Sequence, residues 1–324
     1  MSQFRVLITD RAWPDTELER RILDAIGATI VEPAGTDEAS LCAAAADVDA
    51  IATNWAKVTT SVINAAPRCR IVARLGIGVD NIDIPAASAR GIPVTNCPDY
   101  CVAEVADHAL GMLLALARHI AFFHGRTKRG EYSLQAGQAG LRRLSTQTLG
   151  LFGLGRIGRE LASRARALGL NIIAHTSSGD DYGVGCRMVS FDMLLAESDY
   201  LSLHAPLTAA THHKFNAAAF ANMRATAMLI NTSRGGLIDH AALWTALQQG
   251  QVAGAALDVF EPEPPDLTEP LFQDERVIVT PHAAFVSAES LADLRNRVMG
   301  QVAAALTDRR PENVLNPHIY DKTA

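Results

Sequence analysis

Short runs of apolar, often β-branched residues alternate with longer stretches of helical periodicity along most of the chain. Arg5-Val-Leu-Ile8 reads as a strand and precedes a helix over about 16–26, closed by Gly27. Strands at 29–31 and 50–53 flank an Ala-rich helical stretch, 37–46, so the first part is a βαβ arrangement. Further strands at 71–74 and 93–95 enclose the turn-rich Leu75-Gly-Ile-Gly-Val-Asp-Asn-Ile-Asp83. From Cys101 to about Ile120, Val102, Val105, Leu110, Leu113, Leu114 and Leu116 predict one long helix, apolar nearly all round. Such a helix must be buried, and a second subunit is one way to bury it. After a polar stretch over 125–145, an apolar strand at 148–153 opens a second domain, followed by Gly-rich sequence and a helix to Leu168. Strands are expected at 171–174, 200–203, 227–231, 253–258 and 277–280. Fully apolar strands separated by helices predict parallel sheets covered on both faces. The last helix, about 288–307, follows a sheet that already reads as complete, so the tail is free to return to the first domain.

Composition narrows the class. The 324 residues correspond to about two domains. With 48% hydrophobic, 20% charged and 6% aromatic residues, disordered, collagen-like and coiled-coil classes are excluded. The 29 Lys+Arg against 35 Asp+Glu give a net charge of −6 with no block of like charge, so no nucleic-acid or membrane partner is expected. Five scattered cysteines, at 42, 69, 97, 101 and 186, contain no C-x-x-C pair. Neither a disulfide framework nor a metal site is expected from them, and a cytoplasmic setting fits. The first ten residues read as a strand rather than a signal peptide. The longest apolar run, 109–117, is far short of the ~20 residues of a membrane span.

Gly153-Leu-Gly-Arg-Ile-Gly158 fits G-x-G-x-x-G in the required context, between an apolar strand and a helix, with another strand beyond. The glycines permit a tight turn, close approach of a pyrophosphate and close helix packing, with the phosphates at a helix N-terminus. A dinucleotide site follows. NAD enzymes usually carry an acid about 20 residues on, but Thr176 or a neighbour stands there, and Asp180 and Asp181 come too late. The missing acid removes repulsion against a 2′-phosphate, yet no adjacent arginine supplies charge. The expectation tips toward NADP, with NAD open.

Three strand ends carry the remaining chemistry. Asn231-Thr-Ser-Arg-Gly-Gly-Leu-Ile-Asp239 puts Arg234 beyond a strand, where α/β sheets bind ligands and a guanidinium fork suits a carboxylate. Leu257-Asp-Val-Phe-Glu-Pro-Glu-Pro-Pro265 offers two acids in a stiff loop, and Val279-Thr-Pro-His-Ala-Ala-Phe285 offers His282. A single histidine is more often structural, and Glu-Pro runs are usually solvated. Their joint placement suits carbonyl reduction, which needs a proton donor, a cation and a carboxylate to favour the imidazolium.

These segments, 153–158, 231–239, 258–264 and 280–285, with Arg74 to Asp83, resemble the NAD(P)-dependent D-isomer-specific 2-hydroxyacid dehydrogenase family over essentially the whole chain. Residues 98–109 and 281–285 are similar to the branch containing the C-terminal-binding-protein corepressors and related bacterial enzymes. The resemblance implies an oxidoreductase passing a hydride between NAD(P)H and a 2-oxo acid to give a D-2-hydroxy acid, reversibly. It implies that Arg234 binds and polarises the substrate, His282 is the acid/base and Glu263, rather than Glu261, is its partner. It implies cofactor contacts at Gly153, Gly155, Arg156, Ile157, Gly158, Thr176, His204, Ala205, Pro206, Thr232, Ser233, Asp258 and His282. Leu75, Gly76 and Ile77 are implied to join Arg234 and His282 in holding substrate, with no metal.

The implied architecture is α/β, two Rossmann-like doubly wound parallel-sheet domains separated by a cleft. Residues 1–99 with 288–324 would bind substrate, and 100–287 would bind the dinucleotide, with a dimerisation helix near 101–120 and hence a homodimer. A nucleotide-sensing, corepressor-like binder with little turnover is the reading from another class. Phosphoglycerate dehydrogenase is a third, although the extra regulatory domain of some members is not expected. Formate oxidation is disfavoured because the acid/base partner differs from Glu263, and phosphite oxidation because Ile77 stands where a lysine would help hold the dianion. Trp55, Tyr100 and Phe285 are candidates to line a side-chain pocket.

Overall fold

The computed structural model describes residues 3–137 and 140–321. Met1 and Ser2, the start of the expected first strand, lie outside the described residues. The chain divides into two α/β units, residues 1–100 with 287–324 and residues 101–286.

The first unit runs β1 (Phe4–Ile8), α1 (Glu17–Asp24), β2 (Ala28–Val31), α2 (Glu38–Ala45), β3 (Ala50–Thr53), α3 (Thr60–Ala65), β4 (Val72–Arg74), α4 (Ile84–Ala89) and β5 (Val94–Thr95). Its five strands pair in parallel in the order β2-β1-β3-β4-β5, a doubly wound sheet. Alternation along β1 sorts the two faces. Val6 and Ile8 pack with Leu294, Val298 and Val302, whereas Leu7 packs with Leu41, Val62 and Ile63. The first of those faces is covered by the helix over Ala288–Leu306, which Ser287 and Ser290 start with a reciprocal capping box.

The second unit begins with α5 (Val102–Ala117) and α6 (Ile120–Lys128). It continues through β6 (Thr148–Phe152), α7 (Arg156–Ala167), β7 (Asn171–His175), β8 (Arg187–Met188), α8 (Phe191–Glu197) and β9 (Tyr200–Leu203). Then come α9 (Ala217–Ala221), β10 (Met228–Asn231), α10 (His240–Gln248), β11 (Gly254–Leu257), α11 (Pro270–Gln273) and β12 (Val277–Val279); Ala288–Leu306 is α12. The seven strands are all parallel, in the order β12-β11-β10-β9-β6-β7-β8. Leu149, Leu151 and Ile230 meet α5 and α7 on one face, while Leu201, Leu229 and Leu257 meet Phe215 and Leu243 on the other. Both faces are buried, which is why these strands read as unbroken apolar runs.

The helix expected over 101–120 is α5, Val102–Ala117, and a second helix, α6, not expected from the sequence, follows it. α5 ends at Ala117 because His119 adopts a left-handed backbone, φ +52, and α6 starts beyond it at an angle of 64°. No single helix among the described residues is long and apolar enough to cross a membrane.

Candidate active site

The Gly-rich turn joins β6 to α7. Gly153 has φ +99, and a Cβ on it would lie 2.7 Å from the Ala205 nitrogen, so the loop over 204–206 rests on this glycine. A Cβ on Gly158 would meet the Gly153 oxygen at 2.5 Å, whereas nothing stands within 4 Å of one on Gly155. That open ground lies at the N-terminus of a 12-residue helix with no side-chain cap, and Arg156 and Ile157 form its first turn. The arrangement fits a dinucleotide pyrophosphate. Thr232 adds a buried hydroxyl without a hydrogen-bond partner among the described residues. His204 keeps a partly exposed edge and meets Ser202 Oγ at 2.9 Å through Nε2; burial pushes it down to about 4, so its ring is neutral near pH 7. The Pro206 carbonyl accepts the Thr211 hydroxyl at 2.7 Å.

Beyond β7, Thr176 Oγ1 meets Ser178 Oγ at 3.3 Å, and Ser178 Oγ meets the Tyr182 hydroxyl at 3.1 Å. The acids of this loop are occupied by its own turns. Asp180 accepts the Tyr182 N–H, and Asp181 accepts those of Gly183 and Gly185. No arginine adjoins Thr176 in sequence, but the first turn of α7 supplies one: the Arg159 guanidinium lies 5.8 Å from the centre of the Tyr182 ring.

Asp258, fully buried after β11, organises the loop that follows β12. Its carboxylate accepts the N–H groups of Ala283 at 2.8 Å and Ala284 at 2.9 Å and the Thr280 hydroxyl, while its carbonyl takes the His282 N–H at 2.8 Å. Thr280 also meets His108 Nε2 at 3.0 Å. These bonds hold His282 in the left-handed region, φ +51, a backbone that costs of order 1 kcal/mol without such support. The ring of Phe285 meets the imidazole edge-on at 6.0 Å.

His282 Nδ1 lies 2.8 Å from Glu263 Oε2, and Glu263 Oε1 accepts the Phe260 N–H at 2.8 Å, so the backbone aims the carboxylate. Burial opposes the charge on Glu263, but the hydrogen bond and charge of His282, the Phe260 N–H and the charge of Arg234 together outweigh it. The carboxyl therefore titrates below the ordinary glutamate range. Glu261 faces elsewhere, with His212 and His213 at 3.2 and 3.0 Å.

The turn carrying Arg234 is held by Asn231, fully buried at the end of β10. Its amide donates to the Arg234 carbonyl at 2.8 Å and its oxygen accepts the Ser233 N–H at 3.0 Å. Ser233 Oγ donates to the Ala205 carbonyl at 2.8 Å, joining this turn to the 204–206 loop. A Cβ on Gly235 would lie 2.0 Å from the Phe260 carbonyl carbon, so the turn presses on the segment that anchors Glu263.

In the first unit, the loop after β4 is shaped by Arg74. Its buried guanidinium bonds the Leu75 carbonyl and, at 3.2 Å, Asn54 Oδ1, and a Cβ on Gly76 would stand 2.7 Å from it. Asn96 Nδ2 donates to the Ile77 carbonyl at 2.7 Å, and Cys97 N–H to that of Gly76 at 3.0 Å. The Leu75 N–H is engaged by the Thr53 carbonyl at 2.8 Å. Trp55 is 42% exposed on the loop after β3, whereas Tyr100 packs against the core of the first unit.

Asn231, the Phe260 N–H and Arg159 were not singled out by sequence reasoning. Asn231 carried the one available signal, a polar residue closing an apolar strand.

A sequence model of the D-isomer specific 2-hydroxyacid dehydrogenase NAD binding domain matches residues 110–284. A hydroxypyruvate reductase of Thermotoga maritima is 41% identical over 236 residues, 72% of this chain and 76% of that protein. A D-3-phosphoglycerate dehydrogenase of Methanocaldococcus jannaschii is 37% identical over 321 residues, 96% of this chain, which spans only 59% of that protein's length. Among solved structures, an NADPH-dependent glyoxylate/hydroxypyruvate reductase from Sinorhizobium meliloti superposes with a TM-score of 0.84 at 32% identity, covering 97% of this chain and 99% of that one.

Proposed function

The chain belongs to the D-isomer specific 2-hydroxyacid dehydrogenase family, and from that premise we propose that it reduces a small 2-oxo acid with NAD(P)H to the D-2-hydroxy acid, reversibly. The observation that carries the reading is the 2.8 Å contact of His282 Nδ1 with a Glu263 that also feels the charge of Arg234. When bound, the reduced nicotinamide supplies hydride to the carbonyl carbon. Arg234 pairs with the substrate and draws the carbonyl electrons toward oxygen. His282 delivers a proton from Nε2 to that oxygen, and Glu263 on Nδ1 offsets the charge of the imidazolium that precedes the transfer. In oxidation the same nitrogen takes the proton back. On the first unit, the backbone N–H groups of Gly76 and Ile77 are the proposed holders of the substrate carboxylate, since that of Leu75 is already engaged.

Hydroxypyruvate and glyoxylate are the proposed substrates, by similarity to the two reductases above. NADPH is the proposed cofactor: Thr176, Ser178 and Tyr182 offer hydroxyls, Arg159 offers charge, and the two loop acids are tied into their own turns. A homodimer is proposed because α6 buries none of its residues while Ile120, Tyr132 and Leu134 are 55%, 95% and 79% exposed.

The test is the loss of NADH or NADPH absorbance, in parallel, with glyoxylate, hydroxypyruvate, pyruvate, oxaloacetate and phenylpyruvate. Turnover of the two small oxo acids, with the higher kcat/KM for NADPH, is expected. Silence across the panel with either cofactor tightly bound would overturn the reading.

A further inference from the structure

We propose that His212, His213 and Glu261 form a binding site for a divalent transition-metal ion, with Zn²⁺ as the reference ion. The three side chains lie outside the groups assigned to hydride transfer. His212 Nε2 and His213 Nε2 converge on the same oxygen, Glu261 Oε2, at 3.2 and 3.0 Å. All three ligand atoms lie within 4.8 Å of one another. Ligand bonds of about 2.0–2.2 Å around a tetrahedral ion put neighbouring ligands roughly 3.3 Å apart, so the two N···O spacings need to open by only a few tenths of an ångström, while the two rings turn out of their stack to bring both Nε2 lone pairs onto the ion.

Adjacent residues ordinarily send their side chains apart. Here the rings stack, centres 3.9 Å apart and 18° from parallel, because His213 takes a left-handed backbone, φ +47. Without an ion, each imidazole meets the same carboxylate oxygen through Nε2; on metal binding each neutral ring carries its proton on Nδ1 and presents the Nε2 lone pair to the ion. Two imidazoles and a carboxylate suit zinc and its neighbours rather than Mg²⁺ or Ca²⁺, and three protein ligands leave a position for water.

The site is open to solvent, its side chains being 42–47% exposed. His213 and Glu261 also line a cavity of about 390 Å³ with His240, whose Nε2 is buried without a hydrogen-bond partner among the described residues. A bound ion joins the turn over 208–213 to the loop after β11, so it stabilises the folded chain by an amount that grows with the logarithm of free ion above its Kd.

The experiment uses the untagged full-length chain, stripped with EDTA and freed of chelator, titrated calorimetrically with ZnCl₂ and, as control, MgCl₂. One Zn²⁺ per chain, no comparable Mg²⁺ binding and a rise in Tm with ZnCl₂ are expected. H212A, H213N and E261Q should each weaken Zn²⁺ binding at least as much as the roughly 10- to 100-fold that loss of an outer-shell partner costs, and abolish the rise in Tm. Asn replaces His213 because it tolerates the left-handed backbone. Circular dichroism and metal-free turnover should match the wild type in all three. Absence of stoichiometric Zn²⁺ binding, or equal binding in the wild type and the three variants, as a cysteine site would give, overturns the proposal.

Discussion

Glu261 and Glu263 stand in one proline-rich loop, yet they face different surroundings. Glu263, its side chain 30% exposed, is fixed by the Phe260 N–H and matched to a single imidazole, so its charge is directed at His282. Glu261 is exposed and shared between two stacked imidazoles. Residue type and loop are the same; the role follows from what the neighbouring strands bring up. β12 delivers one histidine to Glu263, whereas the turn after β9 delivers two to Glu261.

The largest expected effect separates the two histidine environments. H282A should lower kcat for 2-oxo acid reduction by roughly 10²–10⁴, the usual contribution of a positioned acid or base, while H213N, assayed with EDTA, should turn over like the wild type. Steady-state rates with NADPH and hydroxypyruvate measure both, and a cofactor titration by fluorescence checks that H282A still binds.

D258N tests what holds His282 in place while leaving the Glu261 cluster alone. The Asn amide would confront N–H groups that the carboxylate now accepts, so a loss of about 2–3 kcal/mol is expected, read as a lower midpoint in urea. Turnover should fall with it.

A smaller effect contrasts the desolvated His204 with the more open His212 and His213. His204 is pushed down to about 4 from an unfolded value near 6.5. The unfolded chain therefore binds more protons between these values, and stability falls as pH drops through that window. Allowing for its partly exposed edge, about 1–2 kcal/mol should be lost between pH 7 and pH 5. H204Q should show a smaller acid-dependent loss in the same urea titration.

Much of the fold was legible because strands buried on both faces run almost wholly apolar, as 149–152 and 228–230 do. The break at His119 was not, since a left-handed backbone at a residue other than glycine leaves no mark in the hydrophobic pattern. α6 was hidden for a related reason: none of its residues is fully buried, so no periodicity exposes it. At the site, Arg234 and His282 were visible as polar residues ending apolar strands. Spacing alone did not choose between the two glutamates, because the choice rests on the Phe260 N–H, a group every residue carries. Arg159 was equally hidden, since only the packing of α7 beside the loop after β7 brings it to Tyr182.

The most direct test sets E263Q beside E261Q in the same hydroxypyruvate and NADPH assay, at pH 7 with EDTA present. The account predicts that E263Q loses roughly tenfold or more in kcat, a share of the acid–base contribution, and that E261Q keeps wild-type turnover. Equal losses in both variants, or the larger loss in E261Q, would contradict it.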